Sequence, residues 1–112
     1  MHMRLLLILL VFLLYGCDAA NDLSAESLAE PQHPGRQIYE DYCFSCHTPG
    51  LSGAPKIGDR EAWKFRLAQG KNVLLDSTIN GIQPAMPPRG VCFDCSDQDL
   101  EHAIDYIILQ SQ

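Results

Sequence analysis

Basic residues are scarce in this chain of 112: 8 Lys and Arg stand against 14 Asp and Glu, for a formal net charge of −6. Such a chain offers no cationic surface to a phosphate backbone. That excludes nucleic acid as a partner and favours docking on the basic surfaces of other proteins. There is also no apolar run of the ~20 residues a helix needs to cross a bilayer. No segment sustains the polar–apolar alternation of a strand, so the expected fold class is all-α. Methionine is almost absent: beyond residue 16 only Met86 remains.

The amino terminus does hold a short basic start, Met1 to Arg4, and an uncharged apolar run from Leu5 to Leu14. This is the length and order of a secretory signal, so residues 1–16 are set aside from the fold. Leu14-Tyr15-Gly16-Cys17 resembles the lipobox of bacterial lipoproteins, with Tyr15 where those sequences place a smaller residue. The resemblance implies a lipid on Cys17 as the mature N-terminus, and Asp18 after it implies anchoring at the inner membrane on the periplasmic side. Cleavage near Asp18-Ala19-Ala20 is the alternative and would discard Cys17. Residues 17–34 carry four acids, no Lys or Arg and two prolines, a composition that reads as a flexible acidic tether. Without Arg4, seven bases face fourteen acids, so the mature chain carries −7.

Residues 35–112 are left to form one domain, small enough to need a disulfide, a metal or a large bound group as a staple. A first helix is expected from Gly35 to Cys46, with Ile38, Tyr39 and Tyr42 as its apolar edge. Glycine and proline crowd residues 48–58, which read as loop. Asp59 caps a short helix carrying Trp63, Phe65 and Leu67 and ending at Gly70. Another, over about 72–80, presents Val73, Leu74 and Ile79 and stops at Gly81. The three prolines of 83–90 make a stiff, irregular segment. Ser96 and Asp99 open a terminal helix as a capping box, with Leu100, Ala103, Ile104, Ile107 and Ile108 on one face.

The chemistry lies in Cys43-Phe44-Ser45-Cys46-His47, the attachment motif of c-type haem. Two thiols three residues apart can each form a thioether to one vinyl group, and the adjacent His47 can ligate the iron. One covalent haem would also serve as the missing core. Met86, set between Ala85 and Pro87-Pro88, is the candidate for the second axial position, since a thioether suits iron that shuttles electrons. Met86 as a gap-filling core residue is the plain alternative. His33, placed in the tether, and His102, near the start of the last helix, are rival ligands that read as solvent-facing. A zinc site on Cys43, Cys46, Cys92 and Cys95 would need the two pairs much closer in sequence and would leave His47 idle. A thioredoxin-like pair would need a strand-to-helix setting.

The stretches "GRQIYEDYCFSCH", "GAPKIGD" and "AMPPRGVCFDCSDQDLEHAIDYI", with Trp63 between them, resemble the class I monohaem cytochromes c, and within them the cytochrome c5 family. The likeness covers nearly all of 35–112. It implies about four short helices around one haem, and it implies that the Pro55 carbonyl receives the His47 ring N–H. It further implies a crossing of the first and last helices at Gly35, Tyr39 and Tyr106, and a Cys92–Cys95 disulfide beside the methionine loop. Close spacing in an exported chain supports that disulfide independently. The expected function is one-electron Fe(III)/Fe(II) transfer in the bacterial periplasm, with no substrate transformed. Its partners would be redox proteins such as membrane respiratory complexes or other cytochromes, with the membrane reached through the lipid on Cys17. A gas sensor or peroxidase-like enzyme with an open sixth coordination site is the rival reading.

Overall fold

The computed structural model describes residues 32–112, so Cys17 and the proposed signal and most of the tether lie outside the described residues. His33–Gln112 forms one compact unit. It is helical, and among the described residues there is no strand, only an isolated bridge between Ile82 and Met86.

Helix α1, Pro34–Ile38, begins with proline in its first turn, where the missing N–H costs nothing. Its cap is His33, whose Nδ1 accepts the Gly35 N–H at 3.1 Å. This corrects the reading of His33 as a solvent-facing tether residue. It is half-buried, its ring sits 5.7 Å from that of Tyr106, and the compact unit starts with it. Pro34, also read as tether, is the first residue of α1.

The expected single α-helix to Cys46 is also corrected. After α1 the backbone widens into a π segment, Tyr39–Cys43, before resuming as α2, Phe44–His47. Here the Phe44 N–H donates to the Tyr39 carbonyl, one residue further back than in an α-helix. The extra residue per turn changes which side of the arm the Cys43-to-His47 stretch presents relative to Tyr39. Composition carries no mark of it.

Helix α3, Arg60–Leu67, starts where expected: Asp59 Oδ1 accepts the Ala62 N–H at 3.0 Å. Trp63 is buried on it, whereas Phe65, which the sequence reading grouped with the apolar residues, is 75% exposed. Helix α4, Lys71–Asn80, runs between Gly70 and Gly81. Helix α5, Asp97–Ser111, has both halves of the Ser96–Asp99 capping box in place. Its buried face comprises Leu100, Ala103, Ile104 and Ile107, and Ile108 beside them is half-buried.

Two contacts explain how these short helices hold together. Gly35 lies so near α5 that a Cβ there would stand 1.8 Å from the His102 carbonyl oxygen, so only glycine permits the crossing. His102 itself is half-buried rather than solvent-facing, because its turn of α5 lies under α1. Below the crossing, Tyr39, Trp63 and Ile107 form a buried cluster, with Cys43, Ile57, Leu67 and Tyr106 packed against it. The buried polar atoms have partners: Tyr39 Oη pairs with Thr48 Oγ1 at 2.8 Å, and Trp63 Nε1 donates to the Lys56 carbonyl at 2.7 Å. Ser111, buried at the end of α5, accepts the Gly58 N–H at 3.0 Å and ties the last turn to the 48–58 loop.

Candidate cofactor site

The geometry of the site starts at His47, on the last turn of the N-terminal arm. The loop after it folds back so that the Ile57 N–H reaches the His47 carbonyl at 2.8 Å. The same fold brings the Pro55 carbonyl oxygen to 2.8 Å from His47 Nδ1. A carbonyl can only accept, so Nδ1 carries the proton and Nε2 is left with a free lone pair. Trp63 backs the imidazole at 5.9 Å between ring centroids.

His47 lines a cavity of about 180 Å³, and Met86 lines the same cavity. Its walls are largely apolar, built from Trp63, Val73 and Leu74, from Ile82, and from Ile104, Ile107 and Ile108 on α5. Arg66, Gln69, Ser77 and Thr78 supply the polar part of the wall.

Met86 reaches the cavity on a tightly closed loop. Ile82 and Met86 exchange backbone bonds in both directions, each 2.9 Å, and the Ala85 N–H also turns back to the Ile82 carbonyl at 3.2 Å. The loop can close because Gly81 takes φ +75, and a Cβ there would stand 2.7 Å from the Met86 carbonyl oxygen and the Pro88 nitrogen.

Past Pro87 a short 3₁₀ turn, Pro88–Val91, leads into the second cysteine pair. Arg89, Gly90 and Val91 all have positive φ, at 57, 55 and 64°. For a β-branched residue such as Val91 that is a strained conformation. Arg89 braces the turn: Nη2 donates to the Cys95 carbonyl at 2.7 Å and Nη1 pairs with Asp97 at 2.9 Å. The Cys92 and Cys95 sulfurs stand at bonding distance, with their Cα atoms 5.4 Å apart.

Cys43 and Cys46 are unbonded and half-buried. Burial, with the neighbouring Cys46 thiol as a lesser cause, pushes the Cys43 thiol up to about 11. Among the described residues no three or more His, Cys, Asp or Glu side chains gather as a metal site, so the two cysteine pairs do not form a four-thiol centre. The structure thus brings His47 and Met86 to one cavity, holds the His47 ring on the Pro55 carbonyl, and places neither cysteine pair on the cavity wall, with the Cys92 and Cys95 sulfurs at bonding distance from each other. His33 and His102 are engaged at the α1–α5 crossing and do not line the cavity. The sequence reading missed Arg66, Gln69 and Arg89. Arg66 and Gln69 reach the wall through tertiary placement, whereas Arg89 acts within its own turn, on Cys95 and Asp97.

These donors fit a haem: an imidazole with one free nitrogen, a thioether lining the same apolar cavity, and two unspent thiols in the turn before the imidazole. Comparison with known proteins agrees. Residues 30–107 match the family described as cytochrome C oxidase, cbb3-type, subunit III. Cytochrome c5 of Azotobacter vinelandii is 46% identical over 72 residues, which cover 62% of this chain and 86% of that protein. The cytochrome c in a crystal structure titled an electron transfer complex of nitrite reductase with cytochrome c superposes with a TM-score of 0.68 at 36% identity, over 74% of this chain and 98% of that one. A mono-heme ferrocytochrome c from Shewanella putrefaciens gives 0.61 at 38% identity, over 70% of this chain and 94% of that one. The chain therefore belongs to the monohaem class I cytochromes c, with cytochrome c5 among its relatives, and it is an electron carrier rather than an enzyme.

Proposed function

We propose that this chain carries single electrons in the bacterial periplasm on one haem c, joined to Cys43 and Cys46, with His47 and Met86 as the axial ligands. The observation that carries the reading is the single apolar cavity lined by both His47 and Met86. When bound, the haem supplies an iron that passes between Fe(III) and Fe(II).

The protein's own residues have simple tasks. The Pro55 carbonyl accepts a hydrogen bond from His47 Nδ1–H, which fixes the ring and makes the other nitrogen a better donor. The Ile82–Met86 backbone pair and the prolines after it hold the thioether in place, so little reorganises when the charge changes. Trp63 and the α5 isoleucines keep water from the cavity. The Cys92–Cys95 disulfide and Arg89 brace the far end of the methionine loop.

The surplus of acids suits docking on basic faces of redox partners. A structural relative was crystallised with nitrite reductase. For this chain we propose the broader class of redox proteins, among them membrane respiratory complexes and other cytochromes. We further propose that residues 1–16 are an export signal, that Cys17 carries a lipid holding the protein at the inner membrane, and that residues 17–32 tether to it the cytochrome domain that starts at His33. Mass spectrometry of the mature N-terminus tests the anchor.

The cofactor reading is tested by expressing the full chain with periplasmic haem-attachment machinery and measuring a pyridine haemochrome. One haem per chain with a thioether-type spectrum is expected. Carbon monoxide added to the reduced protein at neutral pH should bind slowly and weakly. Fast, tight binding would mean an open coordination position and would instead support the gas-sensing alternative.

A further inference from the structure

Beside the first helical arm lies a second hollow, an open groove of about 570 Å³ that shares no lining residue with the His47–Met86 cavity. Much of its wall is aromatic. The buried Tyr39 ring stands between two others, Phe44 edge-on at 6.5 Å and Tyr106 tilted by 53° at 5.4 Å. Phe44 is 51% exposed, so the groove offers solvent an uncovered ring. Glu40 is the one charged side chain on the wall, which holds no Lys or Arg. Its Oε1 accepts the Arg36 Nε–H at 2.7 Å, and its other oxygen has no hydrogen bond among the described residues.

An aromatic face attracts a cation through its quadrupole, and a carboxylate beside it adds charge attraction. An aliphatic stem ending in a cation satisfies both, which is the form of a Lys or Arg side chain. A neutral apolar occupant would desolvate Glu40 without a counter-charge, and an acidic one would be repelled. We infer that this groove seats a lysine or arginine side chain of a redox partner protein, with its stem over Phe44 and Tyr106 and its cation at Glu40. The inference deepens the electron-carrier reading and rests on it. Phe44 lies between Cys43 and Cys46 in the chain, so a partner held here meets the attachment stretch rather than residues that line the cavity.

The probe is pentalysine, titrated into the isotope-labelled, reduced holoprotein at low salt and followed by amide NMR shifts, with pentaglutamate as control. Pentalysine shifts should centre on Glu40, Phe44, Thr48 and Gln110, and should fade by about 0.5 M salt. Pentaglutamate should cause none. E40Q should weaken pentalysine about fivefold, whereas E61Q, the same charge change on α3, should weaken it less than about twofold. F44L keeps an apolar side chain but loses the ring, and should weaken it about threefold. R36Q frees the Glu40 oxygen and should tighten it about twofold, more than R60Q, which removes one cation from α3. All variants should keep covalent haem with unchanged ligand spectra.

Four results would overturn the proposal: shifts centred on acids outside the groove, E40Q no weaker than E61Q, F44L equal to wild type, or R36Q no tighter than R60Q. A wild-type chain without covalent haem would sink the carrier reading beneath the proposal. A haem protein whose pentalysine shifts lie elsewhere would sink only the proposal.

Discussion

Cys43-x-x-Cys46 and Cys92-x-x-Cys95 share one spacing and sit in opposite backbones. The first pair lies on a helical arm at a π-to-α junction, with its sulfurs unbonded and half-buried. The second follows a turn of three positive-φ residues, which brings the two Cα atoms to 5.4 Å and the sulfurs to bonding distance. Local conformation decides what a pair of thiols three residues apart can do. Helical backbone presents them to a third body, while a tight irregular turn presents them to each other. His47 completes the first pair, and at the matching place in the second pair Ser96 caps α5 instead. Neither pair lies on the cavity wall: the first directly precedes His47, which does, and the second follows the loop that carries Met86.

The comparison breaks most visibly at His47. H47A should lower covalent haem in the periplasmic fraction more than about tenfold, read by in-gel haem staining, because the iron loses the ligand adjoining its attachment. M86A should leave the attachment intact and open the other side. Reduced protein should then bind carbon monoxide, and the Fe(II)/Fe(III) ratio should fall about a hundredfold, ~120 mV by the one-electron conversion. The double variant C92S/C95S should keep haem and both ligands yet lose about 1–2 kcal/mol in urea unfolding, as expected for so short a closed loop.

The smallest effect belongs to Asp99. Hydrogen bonds from the Ser96 hydroxyl and N–H hold its carboxyl below the usual range. Its contribution is complete above the unfolded-state value and is lost as pH falls through the lower folded value. D99N should therefore flatten the acid limb of stability against pH, and an unchanged limb would remove the capping box from the account.

Legibility in the sequence followed the range of the interaction. The Asp59 cap, the Ser96–Asp99 box and the apolar stripe of α5 are all local, set within a few residues, and the structure has each of them. The π segment was not legible, because widening a helix by one residue depends on how Tyr39 packs against α5 rather than on residue type. His33 looked like tether by composition. Its role comes from a cap bond and from Tyr106, which lies far along the chain. In the site, the motif pointed to Cys43, Cys46 and His47, and the scarcity of methionine pointed to Met86. Arg66 and Ser111 carry no such signal: one owes its place to a cavity lined from four helices and the methionine loop, the other to a loop bond across 53 residues.

Alkylating the native mature protein before and after reduction, and mapping the peptides, separates the covalent fates of the two cysteine pairs. The expected result is haem mass on the peptide holding Cys43 and Cys46, and label on Cys92 and Cys95 only after reduction. Label or a disulfide at Cys43 and Cys46, or label on Cys92 and Cys95 without reduction, would contradict it.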